Sequence, residues 1–161
     1  MNMPVKNNRG FTIIEVVLVL AIAGLIFLVV FLALPALQRG QRDTQRKNDA
    51  GRMVSQLVAY QTNNQGKLPE TAGEISTFVS GYMTSGSQSF DDPSTGDPYT
   101  INGGSAVITT APATQPTTAA GTIFYYINSK CSGSSVVANT GTRNYAVVVY
   151  QEQGGAYCQG S

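Results

Sequence analysis

The chain has 161 residues, of which 42% are hydrophobic and only 12% charged, and it contains no histidine. The absence of histidine removes the commonest general base at neutral pH and the commonest metal ligand, which argues against hydrolytic triads and zinc sites. From residue 61 on, three basic residues stand against six acidic ones. This balance does not favour binding nucleic acid by phosphate neutralisation, and no set of residues suggests an enzyme.

The chain begins with a short polar stretch that is followed by a long apolar one. Residues 1–10 carry Lys6 and Arg9, whereas residues 16–34 carry no charge. A helix over the uncharged stretch spans roughly 30 Å, the thickness of a bilayer's hydrocarbon layer. The stretch is longer than the apolar part of a secretory signal, and a domain of this size would not bury such a helix on all sides. We therefore predict a membrane helix.

Glu15 interrupts the apolar segment near its start, with Phe11, Ile13 and Ile14 before it. A charged side chain in the centre of a membrane helix costs roughly 3 kcal/mol on insertion scales, so such a residue usually has a partner. The alternative is that Glu15 lies close enough to the helix end to reach the lipid headgroups.

The residues around Glu15 carry a family resemblance. Residues 9–15, with the sequence Arg-Gly-Phe-Thr-Ile-Ile-Glu, resemble the cleavage and methylation signature of type IV prepilins and pseudopilins. The resemblance implies that a prepilin peptidase in the membrane cuts after Gly10 and that the new amino group of Phe11 is methylated. Glu15 would then pair with the Phe11 amine of a neighbouring subunit, a contact that stabilises a carboxylate in a low dielectric.

This reading divides the chain into three parts. Residues 1–10 are the prepilin leader, residues 11–37 the transmembrane and polymerisation helix, and residues 38–161 the head, in which residues 38–64 continue the helix. Gly24 and Pro35 are expected kinks, although a proline can also merely curve a helix. The positive-inside rule by itself favours a head that lies in the cytoplasm. A disulfide between Cys131 and Cys158, which is predicted below, requires instead that the head lie outside the cytoplasm.

Beyond Pro35 the apolar residues follow one helical face, which predicts that this half of the helix packs on a globular core. The predicted core positions are Ala50, Met53, Val54, Leu57, Val58 and Tyr60. A cluster of basic residues occupies the same helix and is expected either to meet anionic lipid and neighbouring subunits or to form a solvated face, with Asp43 paired to Arg39 and Lys47. The cluster comprises Arg39, Arg42, Arg46, Lys47 and Arg52.

The remaining elements are a short helix and several strands. Residues 63–66 and Pro69 end the long helix, and Thr71 with Glu74 forms a capping box before a second helix. Strands are predicted at residues 99–101, 106–109, 122–128 and 144–151, with the last in a central position because it is apolar on both faces. The fold class is therefore α+β: a long N-terminal helix packed on a C-terminal antiparallel sheet, as in the type IV pilin fold.

Two features of the head concern possible bonds and ligands. Cys131 and Cys158 are predicted to form a disulfide, with two buried free thiols as the alternative. Residues 90–99 resemble a loop of pseudopilins, some of which bind calcium, which makes Asp91, Asp92 and Asp97 candidate ligands. Ordinary turn formation by Asp and Pro is the favoured reading of this loop, so no metal or other cofactor is assigned. Residues 109–120 are read as a flexible connection in preference to an O-glycosylated loop.

The sequence thus predicts a non-enzymatic filament subunit. It would be a single-pass precursor in the cytoplasmic membrane, in contact with lipid, the prepilin peptidase and the pilus assembly platform, and would then join copies of itself in a surface pilus for adhesion, twitching motility or DNA uptake. One alternative is a pseudopilin of type II secretion. Another, of a different class, is an extracytoplasmic binding domain on a single-span anchor.

Overall fold

A long helix, α1, runs over Ile13–Asn63 in the computed structural model of the protein. The structure describes residues 10–86, 89–102, 121–139, 141 and 143–161. The leader residues 1–9, the expected strand at residues 106–109 and the connection at residues 109–120 lie outside the described residues. The chain divides into two units, Met1–Gln38 and Arg39–Ser161, and the second is called the head below.

Within the head, α1 packs on the sheet through one apolar stripe. Ala50, Met53 and Leu57 are almost completely buried, and their spacing of three and four residues places them on one helical face. They belong to the main core cluster together with alternate residues of the sheet. Val58, which we predicted to be buried, is 52% exposed, because the next residue along a helix points about 100° away from Leu57.

The second helix, α2, spans Ala72–Phe78 and continues into a π-helical turn at Val79–Met83. The capping box predicted from the sequence is confirmed: the Thr71 hydroxyl accepts from the Glu74 N–H, and the Glu74 carboxylate accepts from the Thr71 N–H. Phe78 and Tyr82 pack against Tyr60 of α1 at ring-centroid distances of 5.8 and 5.5 Å. This aromatic contact attaches α2 and the π turn to α1.

The described residues of the head form a four-stranded sheet and a separate two-stranded hairpin. The strands are β1 (Thr100–Ile101), β2 (Thr122–Ile127), β3 (Ser129–Ser132), β4 (Ser135–Ala138), β5 (Tyr145–Tyr150) and β6 (Ala156–Gly160). The sheet has the order β1-β2-β5-β6, and β3 pairs with β4. The sheet is mixed, since β1 runs parallel to β2 while the β2-β5 and β5-β6 pairs are antiparallel.

Strand β5 occupies the central position that its sequence predicted, because both of its faces are covered. Tyr145, Val147 and Val149 belong to the cluster shared with α1. Ala146 and Val148 belong to a second cluster on the opposite face, which also contains Tyr126 of β2 and Val136 of the hairpin. Alternate residues of a strand point to opposite faces, so a strand that is apolar throughout needs cover on both.

The predicted disulfide is confirmed. Cys131 of β3 is bonded to Cys158 of β6, with a Cα–Cα distance of 5.7 Å. The bond therefore joins the hairpin to the edge strand of the sheet. Between the two cysteines the sequence predicts only the strand at residues 144–151, so the hairpin and β6 are additions that the structure makes.

The substitution Leu57→Ala is expected to lower the free energy of unfolding by about 3 kcal/mol, because it removes a buried side chain and leaves a cavity. Val58→Ala is the matched control and is expected to change it by less than about 0.5 kcal/mol. Urea denaturation of the detergent-solubilised chain measures both. Equal effects would contradict the assigned orientation of α1.

The paired substitution of Cys131 and Cys158 by Ser is expected to destabilise the head by about 3 to 4 kcal/mol, since the bond closes a loop with a sequence separation of 27. Denaturation of the oxidised wild type and of the double variant gives the difference. An unchanged unfolding midpoint would show that the bond adds nothing to the packing of the hairpin on the sheet.

Candidate functional site at the start of the long helix

The helix α1 starts with a capping box that involves Glu15. The Thr12 hydroxyl accepts from the Glu15 N–H at 3.3 Å, and the Glu15 Oε2 accepts from the Thr12 N–H at 3.3 Å. The Thr12 hydroxyl also donates to the same carboxylate oxygen at 3.2 Å. The two residues thus satisfy backbone N–H groups that have no partner inside the helix.

This arrangement was missed in the sequence, although its signal was present. Thr12 and Glu15 have the same three-residue spacing as Thr71 and Glu74, and an apolar run follows them. The pattern Thr-x-x-Glu before an apolar run is the sequence signature of a capping box. In a single subunit, therefore, the Glu15 carboxylate is hydrogen-bonded by its own chain.

Gly10 and Phe11 lie immediately before the helix and are exposed to solvent. A Cβ placed on Gly10 would meet no atom within 4 Å, and its φ is not positive. The fold of the described residues therefore does not require glycine at this position.

The apolar half of α1 has no protein cover. All the large hydrophobic side chains from Phe11 to Leu37 that the structure describes are exposed, with Phe11 at 86% and Phe31 at 72%. Among the described residues, α1 is the one helix that is long and apolar enough to cross a membrane. The helix runs without a break through Gly24 and Pro35, and the kinks expected there remain predictions. A surface of this kind needs lipid or other protein around it.

Residues 5–31 match the family model described as the prokaryotic N-terminal methylation motif. The chain carries the type IV pilin and prepilin signature. This prepilin motif indicates a type IV pilin or a pseudopilin-like protein, and it implies a structural role, processing by prepilin peptidase and assembly into a pilus. With the apolar helix, it fits a membrane-anchored precursor. No curated protein and no solved structure matches the chain.

Outside the prepilin motif, the head contains a buried cluster of charged side chains around Arg46. Arg46 Nε lies 2.8 Å from Asp92 Oδ2, and Arg46 Nη2 lies 3.1 Å from Asp92 Oδ1. Two further carboxylates approach the same guanidinium, Asp43 at 3.2 Å and Glu152 at 3.0 Å. Arg46 and Asp92 are only 3% and 1% exposed. The cluster joins α1 to the loop before β1 and to the turn before β6.

The cluster corrects our interpretation of the basic residues on α1. Arg46 is neither on a solvated face nor available to lipid, and Asp43 pairs with Arg46 rather than with the expected partners four residues away. Asp43 also accepts from the backbone N–H groups of Glu152 and Gln153 at 2.7 and 3.2 Å. These partners come from a distant turn of the chain, so helical spacing alone could not indicate them.

The three candidate calcium ligands are used in different ways. The Asp92 carboxylate is buried and bonded to Arg46, whereas the Asp91 carboxylate accepts from the Ser89 hydroxyl. Asp97 contributes its backbone carbonyl, which accepts from the Asp92 N–H at 2.9 Å. Within the described ranges, no three Asp, Glu, Cys or His side chains are grouped in a way that would hold a metal ion.

The pKa of Asp92 makes the stability of the head depend on pH. Burial by itself raises this pKa, but the hydrogen bonds from Arg46 and Ser94 outweigh it and hold the pKa well below its ordinary value. A carboxyl group whose pKa is lower in the folded state stabilises the fold above its unfolded pKa and loses that effect as the pH falls.

We expect the free energy of unfolding to decrease as the pH drops below about 4, the ordinary pKa of an aspartate, and to go on decreasing toward pH ~2. The Asp92→Asn variant should show a shallower decrease over the same window, because it lacks the titrating group. Urea denaturation at a series of pH values measures both slopes. Parallel slopes would contradict the role of Asp92.

Proposed function

We propose that the chain is a structural subunit of a type IV pilus, assembled through α1 into an extracellular filament. The observation that carries this proposal is the match of residues 5–31 to the prepilin motif, in which Gly10 and Phe11 precede an exposed apolar segment whose one carboxylate is Glu15. The partners would be the prepilin peptidase, the assembly platform in the cytoplasmic membrane, lipid before assembly and further copies of the chain afterwards. Adhesion, twitching motility and DNA uptake are the roles that such a filament would serve.

The role of Glu15 follows from its surroundings. Among the described residues, its carboxylate accepts hydrogen bonds from the Thr12 N–H and from the Thr12 hydroxyl. These bonds are neutral, and they supply no counter-charge within a low dielectric. The methylated amino group of Phe11 on a neighbouring subunit would supply one. We therefore propose that the charge of Glu15 drives subunit docking and that its capping bonds orient the carboxylate beforehand.

The outward face of α1 in the head is consistent with contact between subunits, because it carries almost no charge. Charged residues of this stretch turn toward their own head: Arg42 pairs with Glu152, Asp49 accepts from the Tyr99 hydroxyl, and Arg52 donates to the Ser89 carbonyl. Between residues 39 and 63, Arg39 is the one charged residue that is exposed to solvent. The other exposed residues are Gln41, Thr44, Gln45, Asn48, Ser55, Val58, Thr62 and Asn63. Covering such a face would bury few ions.

Processing is tested at Gly10. The Gly10→Val variant should retain the fold, because the structure leaves room for a side chain there, but it should accumulate uncleaved and unmethylated. Gly81→Val is the control, since Gly81 in the head is equally free of steric neighbours and lies far from the junction in sequence. Intact mass and N-terminal sequencing of the membrane and filament fractions provide the readout. A mature wild-type chain that begins at Met1 would refute the pilin proposal and favour a membrane-anchored binding domain.

Assembly is tested at Glu15 with two substitutions that separate charge from capping. Glutamine can occupy the same position in a capping box, so Glu15→Gln keeps the helix cap and removes the charge, whereas Glu15→Ala removes both. We expect both variants to be cleaved at Gly10 and both to lose at least ~10-fold of the filament yield, since the amine of the neighbour is left without a counter-charge. Yield is measured by sheared-filament quantification. Normal filaments from Glu15→Gln would limit the role of Glu15 to helix capping.

A further inference from the structure

We infer that Arg46 is the built-in cation of the loop at residues 90–99 and occupies the place that a divalent metal ion would otherwise take. The loop resembles one that binds calcium in some pseudopilins, and its aspartates were for that reason candidate ligands. The geometry around Asp92 does not fit a calcium ion. It points to a head whose loop is held by the chain's own guanidinium and which folds independently of calcium.

The first argument is that Asp92 has no free acceptor position. Its Oδ1 accepts from Arg46 Nη2 at 3.1 Å, from the Ser94 N–H at 2.8 Å and from the Ser94 hydroxyl. Its Oδ2 accepts from Arg46 Nε at 2.8 Å and from the Gly121 N–H at 3.2 Å. A carboxylate offers about four lone-pair sites, and five donors surround this one. A metal ion could bind only by displacing them.

The second argument concerns the balance of charge around Arg46. Asp43, Asp92 and Glu152 all lie within 3.2 Å of its guanidinium nitrogens. Two of these carboxylates, Asp43 and Asp92, are 4% and 1% exposed. Buried carboxylates need a positive partner, and a planar guanidinium can serve several at once with directed N–H bonds. Arg46 therefore performs the neutralisation that a bound cation would provide.

The third argument is that the other two aspartates do not converge on the same point. The Asp91 carboxylate is engaged by Ser89, and Asp97 is exposed while its backbone carbonyl closes the loop onto the Asp92 N–H. A calcium ion requires six to eight oxygen ligands around one centre. In the described part of the loop, no three carboxylates are grouped in a way that would hold such an ion.

The consequence is a coupling between α1, the loop and the sheet. Arg46 belongs to α1, Asp92 to the loop, and Gly121, which donates to Asp92, immediately precedes β2. The Asp92 carboxylate, which accepts from both Arg46 and Gly121, thus joins three segments that are distant in the sequence. Unlike a metal ion, Arg46 is not lost to chelators or to a change in calcium concentration outside the cell.

The test is thermal unfolding of the full chain in detergent, followed by circular dichroism, and it does not depend on cleavage or on filament formation. With millimolar calcium chloride or with EDTA, the wild-type midpoint should stay the same. A midpoint that rises with calcium and falls with EDTA would overturn the inference.

Variants test the role of Arg46 itself. Arg46→Gln should lower the unfolding midpoint by ~10 °C or more, because Asp92 stays buried without its counter-charge. Adding Asp92→Asn to that variant should recover part of the loss, since it removes the unpaired charge. Arg42→Gln, which affects a more exposed pair with Glu152, is the control and should shift the midpoint by only ~2 °C.

If Arg46→Gln does not fold, Arg46→Lys provides the second measurement. Lysine keeps the positive charge but not the paired N–H geometry, so its midpoint should lie below that of the wild type and respond to neither calcium nor EDTA. An Arg46→Gln midpoint within 2 °C of the wild type, or a double variant less stable than the single one, would show that Arg46 is not the cation on which the loop depends.

Discussion

The packing of Ala50, Met53 and Leu57 against the sheet is the interaction on which the head depends. These three side chains are the part of α1 that the core encloses most completely, and they touch a cluster that draws on α2, β1, β2 and β5. Among the described residues the sheet has four strands, and one of them has two residues. It could not bury an apolar face without a helix laid across it. The second face of β5 has to be covered as well, which is the role of the hairpin and of the disulfide that attaches it to β6.

The same helix meets opposite demands in the two units. In the head most of its charged side chains turn toward partners of their own unit, Arg39 excepted, whereas residues 13–37 are apolar on all sides and carry one charge, that of Glu15. A helix that is apolar all round is stable only inside lipid or protein. The prepilin motif therefore fits the physical character of the segment. In a precursor, lipid would surround this apolar segment, and contacts with other subunits would replace the lipid on assembly.

Glu15 and Arg46 illustrate two ways to accommodate a charge in a low dielectric. Arg46 has its carboxylate partners within the chain, so its burial is settled when the head folds. Within residues 10–161, so far as the structure describes them, Glu15 has neutral hydrogen bonds from Thr12 and no charged partner. Fully paired charges specify one arrangement of the chain. A charge without a counter-charge favours association with a group of opposite charge on another molecule. We propose that Arg46 serves the fold and that Glu15 serves assembly.

The sequence by itself determined the segment architecture, because the signals there are local. A short polar stretch, an uncharged run of bilayer length and the spacing of Gly10, Phe11 and Glu15 do not depend on any distant residue. The capping box at Thr71 and the central position of β5 follow equally from nearby residues. Only the tertiary structure decided the pairs that span long distances in the chain: Arg46 with Asp92, Asp43 with the turn at residue 152, and the parallel contact of β1 with β2. It also decided that Val58 is exposed, that residues 129–138 form a hairpin and that residues 156–160 form a strand beside β5. Such contacts depend on how separate segments are brought together around a shared core, and neither the period of a helix nor that of a strand encodes which distant partner a given side chain will meet.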